Sequence, residues 1–227
     1  MVRYLAPGDK PGRQALAAQA RFLPYSLHRD FPAAGIRMFC LSRPNRNAIA
    51  AFVSAQQNQA FSYADVGYSR QQAPKGYVAD HNRIQLGKGA EAFERAKCAV
   101  RHWKMFDMPW IDLCWPDTPV EPGASVAVLI AHFGFWSLNA CRIVYVIDED
   151  GRSEKYGFAY GTLPDHGERG EERFTVEFNS DRTVWYDLYA FSRPNMPARL
   201  AYPYTRLLQK RFARDSKAAM QKAVQSA

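Results

Sequence analysis

The strongest constraint on this chain is a change of hydrophobic period part-way along it. Before residue 107 the apolar residues recur at spacings of three and four, as on one face of a helix; after it they alternate, as on a strand. The clearest helical stretch is 90–106, where Phe93, Ala96, Val100 and Trp103 share a face and Met108-Pro109 stops the run. A strand at 77–86 precedes it, closed by Gly87 and Gly89. Beyond it the runs 126–133, 141–147, 156–163, 173–178 and 183–191 are rich in β-branched and aromatic residues. In the run at 173–178, Phe174, Val176 and Phe178 point one way while Arg173, Thr175 and Glu177 point the other. Polar turns, Asp148-Glu149-Asp150-Gly151 and Asn179-Ser180-Asp181-Arg182, separate neighbouring runs. This half therefore reads as an antiparallel meander with one apolar face.

A last helix runs from about 203 to 224, with Tyr204, Leu207, Leu208 and Phe212 as its inner stripe and Arg206, Lys210, Arg214 and Lys217 on the remaining surface. A sheet with one apolar face must be covered, and one long amphipathic helix can cover it. The expected fold is α+β, a curved antiparallel sheet under a C-terminal helix, with a pocket in the gap. At the other end, Gly8, Pro11, Gly12, Pro24, Pro32 and Gly35 interrupt residues 1–37, which read as an N-terminal extension with at most a short helix over 14–22. Residues 38–227 form the domain, opened by a helix that Ser42 or Asn45 caps and that carries Ile49, Phe52 and Val53.

Composition narrows the classes of function. With 47% hydrophobic and 23% charged residues the chain is neither disordered nor fibrous. The net charge of +8 admits an anionic partner, but no block of consecutive like charges marks a nucleic-acid footprint, and nucleic acid is disfavoured. Cys40, Cys98, Cys114 and Cys141 are widely spaced, never form CxxC, and read as buried thiols rather than a disulfide framework or a zinc site. No stretch approaches the roughly 18 unbroken apolar residues that span a bilayer. The basic, alanine-containing start lacks the apolar core of a secretory signal, so the cytoplasm is the expected location.

The order of strand, helix, antiparallel strands and long closing helix is similar to the helix-grip fold of the START-related lipid-transfer and polyketide-cyclase superfamily. The stretches FSYADVGYSR, YVADHNRIQLGKG, FGFWSLNACRIVYVIDE, YGFAYGTLPDHGERGEERFTVEF and VWYDLYAFSRP resemble more closely the family catalogued as domain of unknown function nineteen-ninety. That resemblance runs from about residue 38 to the C-terminus. It implies a fold and, since the family has no assigned activity, no reaction.

Candidate site residues fall into two groups. The stretch 161–173 reads as a loop dense in Gly, His, Glu and Arg between two aromatic strands. His166, with an ordinary pKa near ~6.5, suits general acid–base work there, oriented by Glu171 or Glu172. A solvated hairpin whose charges pair among themselves is the plainer account of the same residues. The second group would line a pocket: Tyr156 and Tyr160, alternating with Gly157, Ala159 and Gly161, and Trp185, Tyr186 and Tyr189 on the closing strand, together with Trp103, Tyr145 and Arg142. Large rings with a few hydroxyls line a pocket while the tiny residues opposite let the other face pack closely. Arg142, inside an apolar strand, either reaches solvent or is buried against an acidic partner; Arg83 reads as exposed.

Metal and cofactor chemistry have no support: the five histidines form no HxH, HxxxH or HExxH pair, and neither a GxSxG elbow nor a Walker loop is present. Three functional readings follow. The first is binding of an apolar or amphipathic small molecule between sheet and closing helix. The second is a small-molecule cyclase, hydrolase or isomerase working through His166 with Glu171 or Glu172. The third is a basic module for nucleic acid or anionic lipid.

Overall fold

Asn45 starts the first helix by accepting a hydrogen bond from the Ala48 N–H at 2.9 Å, the ordinary way a helix satisfies its first free donors. The structure, a computed structural model, describes residues 38–151, 153–195 and 201–225. The extension 1–37 and its expected helix lie outside the described residues. The elements are β1 (Phe39–Cys40), α1 (Arg46–Gln56), β2 (Val78–Lys88), α2 (Ala90–Arg101), β3 (Ile111–Cys114), β4 (Ser125–Ala131), β5 (Trp136–Glu149), β6 (Glu154–Thr162), β7 (Glu168–Phe178), β8 (Thr183–Pro194) and α3 (Tyr202–Gln225).

All strand pairs are antiparallel, in the order β2-β8-β7-β6-β5-β4-β3, with β1 added to β5. The first strand thus lies beside the last, and hairpins build the rest. Helices α2 and α3 cover the inner face of this sheet. Phe93, Ala96 and Val100 of α2 pack with Phe158, Phe174, Val176 and Tyr186 of the strands, and with Met220 and Val224 of α3. This is the helix-grip arrangement expected of the chain. On the outer face, Ile49 and Phe52 of α1 pack on Leu129, Leu138, Ala140 and Leu163.

Several expected boundaries are corrected. Helix α2 ends at Arg101 rather than 106, because Trp103 adopts a left-handed backbone (φ 54) that turns the chain into a short 3-10 segment, Lys104–Phe106. That turn carries Trp103 and Phe106 beneath the sheet, where both are buried. Leu207, expected on the inner stripe of α3, is 62% exposed; the stripe that meets the sheet is Leu208, Phe212, Ser216, Met220 and Val224. Three strands are longer than alternation of apolar residues suggested: β5 begins at Trp136, β7 at Glu168, and β8 reaches Pro194. The expected loop over 161–173 is therefore mostly strand.

The outer face packs closely where the sequence is small. A Cβ placed on Gly161 would lie 2.1 Å from the Tyr63 hydroxyl, so only glycine lets the segment at 62–70 lie against β6. Among the described residues no helix is long and apolar enough to cross a membrane.

Candidate functional site

The extra strand lengths converge on a hollow. A cavity of about 680 Å³ lies between the inner face of the sheet and the N-terminal half of α3. Phe106, Trp110, Val128, Ile130, Leu188 and Phe212 supply much of its apolar wall. Side-chain alternation puts Glu168, Gly170 and Glu172 of β7 on the inner face with Phe174 and Val176, and only the last two reach the solid core.

Glu172 stands directly across the ladder from Tyr160 of β6, whose hydroxyl donates to its Oε2 at 2.8 Å. Burial pushes the Glu172 carboxyl up to about 8, so it holds its proton at neutral pH. Burial likewise raises the Tyr160 phenol well above its ordinary range. Glu168 accepts from Ser192 Oγ at 3.0 Å and from Gln209 of α3, and burial raises its carboxyl to about 6. Gln209 also donates to Ser192 Oγ at 3.0 Å. Nearby, Arg206 of α3 donates to Asp80 of β2 through both terminal guanidinium nitrogens, Nη1 to Oδ2 and Nη2 to Oδ1, the latter at 2.8 Å.

His166 also lines the cavity, but not as expected. Its Nδ1 accepts the Glu168 backbone N–H at 2.9 Å, so the neutral ring carries its proton on Nε2. Burial lowers the imidazole to about 4 rather than leaving it near its ordinary value, and at neutral pH the ring is a hydrogen-bond donor without charge. A second imidazole, His132, contacts Tyr204 OH through Nδ1 at 2.9 Å and Ser137 Oγ through Nε2 at 2.8 Å, and burial lowers it too. Asn139 completes this wall, its Nδ2 donating to Ser137 Oγ at 3.1 Å and its Oδ1 accepting from the Gly167 N–H at 3.2 Å.

The other expected partner, Glu171, faces outward. Its carboxylate is buried under the 62–70 segment, accepting from Tyr63 OH and the Gly67 N–H at 2.7 Å each, from the Ser69 N–H at 3.1 Å and from Ser69 Oγ. Of the rings expected to line the pocket, Tyr160 does so. Trp103 is core, its Nε1 donating to Thr118 O at 2.9 Å and its ring 4.6 Å from Phe158. Tyr156 faces inward but sits in the core beneath Arg101, and Tyr186 is sealed under α3 with its hydroxyl 2.9 Å from Ser216 Oγ. Trp185 and Tyr189 alternate with Tyr186 and so lie outside, beneath Arg83 and Arg173. A bulge in β5 between Ile143 and Tyr145 puts Tyr145 outside as well, its hydroxyl 2.6 Å from Ser69 Oγ.

Arg142 meets neither solvent alone nor an acid. It donates to the carbonyls of Gln56, Gln57 and Gln59 at 3.0, 2.6 and 2.9 Å, closing the C-terminal end of α1 where the helix dipole favours a cation. Arg83, as expected, is on the outer face, paired with Glu177 and Asp187. Glu168, His132, Asn139, Ser192 and Gln209 escaped the sequence reading; the one signal for Glu168 was its place two residues before Gly170 and four before Glu172. Among the described residues, no three His, Cys, Asp or Glu stand together as a metal site.

Residues 62–219, more than half of the chain, match the family model described as a domain of unknown function, DUF1990. The chain belongs to this family. The match begins later than residue 38, where the resemblance in sequence was expected to start. Curated relatives of this DUF1990 member include a UPF0548 protein of Dictyostelium discoideum, 37% identical over 83% of this chain and 97% of that one. Another, from Deinococcus radiodurans, is 40% identical over 78% and 94%. Among solved structures the chain is similar to Ara h 8.0201, at 13% identity and a TM-score of 0.41 over 67% of this chain and 100% of that one. It is also similar to truncated norcoclaurine synthase from Thalictrum flavum, at 10% identity and 0.40 over 69% and 99%. Likeness this loose bears on neither ligand nor activity.

Proposed function

We propose that this protein binds one apolar or amphipathic small molecule in the cavity beneath α3. The observation that carries the reading is a hollow of about 680 Å³ with a largely apolar wall and a few convergent polar groups, the usual build of a small-molecule site. The apolar body would lie against Phe106, Leu188 and Phe212, and a polar end would meet Tyr160, Glu172 and Glu168. The test is uptake of uncharged Nile red, with displacement by fatty acids and isoprenoid alcohols. Saturable fluorescence, lost at least tenfold in Ala190→Phe, which fills the wall of β8, is expected. No uptake of the dye or of any competitor would remove the proposal.

A second reading, acid–base chemistry on the bound molecule, draws support from Glu172, a carboxylic acid that keeps its proton beside Tyr160. The pairing of His166 with Glu171 is not available to it, because Glu171 faces the other way. Exchange of the α-protons of a bound ketone with deuterated solvent, followed by NMR, should slow at least a hundredfold in Glu172→Gln. Exchange at the wild-type rate would reject this reading. The basic-module reading is weakened at Arg206 and Arg214 of α3, which are paired with Asp80 and Asp215.

A further inference from the structure

We infer that the cavity selects a cationic ligand, an amine carried on an apolar body, with Glu172 as the group that receives the nitrogen. The inference rests on the cavity being a binding site and goes on to name what it binds. It follows from an inventory of charge around the wall. Four acidic residues border it, Asp80, Glu168, Glu171 and Glu172, and Glu171 turns its carboxylate to the other face of the sheet, onto Tyr63, Gly67 and Ser69. Asp80 has a cation in Arg206. Glu168 has only the neutral donors Ser192 and Gln209, and Glu172 only the Tyr160 hydroxyl on Oε2. Neither forms an ion pair among the described residues, and Glu172 Oε1 has no hydrogen-bond partner there.

The cations that border the cavity all belong to α3, and none is paired with Glu168 or Glu172: Lys217 donates to Asn82 Oδ1 at 3.3 Å, Arg214 pairs with Asp215, and Lys210 is exposed. His166 and His132 are neutral, and Asn139, Ser137 and Thr162 carry no charge. On the outer face of the same sheet the acids have partners: Asp187 meets Arg173 and Arg83, Glu177 meets Arg83 and Lys155, and Glu171 accepts from four N–H and O–H donors. A buried carboxyl with neither a cation nor such a set of donors either keeps its proton or acquires a cation from outside. An ammonium can donate to the free Oε1 of Glu172 while the charge of Glu168 along the same wall favours it, whereas a carboxylate ligand there would place like charges together.

The groups that face Glu172 bear on the protonic consequence. They are Tyr160 from β6, Glu168 from the same strand, Cys141 from β5, Tyr186 from β8 and Asp80 with its Arg206 from β2 and α3. The acids among them hold the Glu172 proton in place, and an incoming ammonium opposes that influence. Amine binding should therefore expel a proton from the site.

The experiment uses the full chain and three probes with one shared body: 4-phenylbutylamine, 4-phenylbutanol and 4-phenylbutanoate, titrated by calorimetry at pH 7 in two buffers of different ionisation enthalpy. The amine is expected to bind at least tenfold more tightly than the alcohol, the carboxylate more weakly than either, and the amine heat alone to depend on buffer in the direction of proton release. Glu172→Gln should bring amine and alcohol within threefold of each other. If the alcohol and Nile red bind but the amine gains nothing over the alcohol, or its binding releases no proton, the amine assignment is overturned and the binding site stands. If neither the dye nor any probe binds, the site itself is rejected. Should Glu172→Gln fail to fold, the buffer dependence measured on the unaltered protein still decides.

Discussion

Glu171 and Glu172 are neighbours in sequence, chemically identical, and opposite in situation. Strand alternation sends Glu171 outward, where four donors from Tyr63, Gly67 and Ser69 hold its carboxylate. Glu172 goes inward, with one donor and a hollow in front of it. The outer acid is a fastening: it ties a 62–70 segment with no regular strand of its own to the middle of the sheet. The inner acid fastens nothing, and it shows that a buried polar group left under-satisfied beside open space is a different object from one that is fully bonded.

The largest expected effect would break this contrast outright. Glu171→Ala strips partners from the Tyr63 and Ser69 hydroxyls and from two backbone N–H groups, and should cost about 3–5 kcal/mol in urea unfolding. Glu172→Ala should cost less than about 1 kcal/mol, since Tyr160, its one hydrogen-bond partner among the described residues, can turn to the cavity. Equal losses at the two positions would mean that Glu172 is structural after all.

A smaller effect sharpens the same division in volume. Gly161→Ala forces a methyl into the Tyr63 ring, itself pinned by Glu171, and should destabilise by about 1–3 kcal/mol. Ala190→Leu, on the hollow side of β8, adds more atoms yet should stay within about 1 kcal/mol of the parent. Thermal unfolding of the two variants ranks them directly.

The smallest effect is one of pH. Glu172 titrates near 8 in the folded chain and near ~4.3 unfolded, so the folded state binds more protons across that window and stability falls as pH rises through it. His166 titrates near 4 folded and near ~6.5 unfolded, so its contribution is lost as pH falls from 6.5 towards 4. Between pH 6.5 and 8 the Glu172 effect is unopposed by the histidine. Glu172→Gln should flatten the decline of the melting temperature there, raising stability at pH 8 by about 1 kcal/mol or more. His166→Gln should lift stability at pH 5 relative to pH 7. Parallel pH profiles for parent and variants would place both groups in water rather than in the wall.

The pattern of what could be read from sequence follows the same boundary. Where the inner face is solid, apolar alternation located the strands, as in Phe174, Val176 and Phe178. Where it is hollow, the inward residues are polar: Glu168 and Glu172 fell in the stretch read as a loop, and Ser137, Asn139 and Ser192 fell outside the expected strands. The strand ends that went unrecognised are the ones that enclose the site, because a cavity wall does not need to be apolar in the way a core does. Facing was the other obstacle. A bulge in β5 reverses the parity of Tyr145, and the identical chemistry of Glu171 and Glu172 offers no means of choosing between them.

The attachments of α3 are unevenly distributed along its length. Near its start it is tied by polar contacts, Tyr204 to His132, Arg206 to Asp80 and Gln209 to Glu168, while Ser216, Met220 and Val224 are buried further on. Water can replace the first set at little cost but cannot replace the second. The polar ties that water can replace thus sit on the half of the rod that lies over the hollow, and the apolar seal sits on the half that lies over solid core.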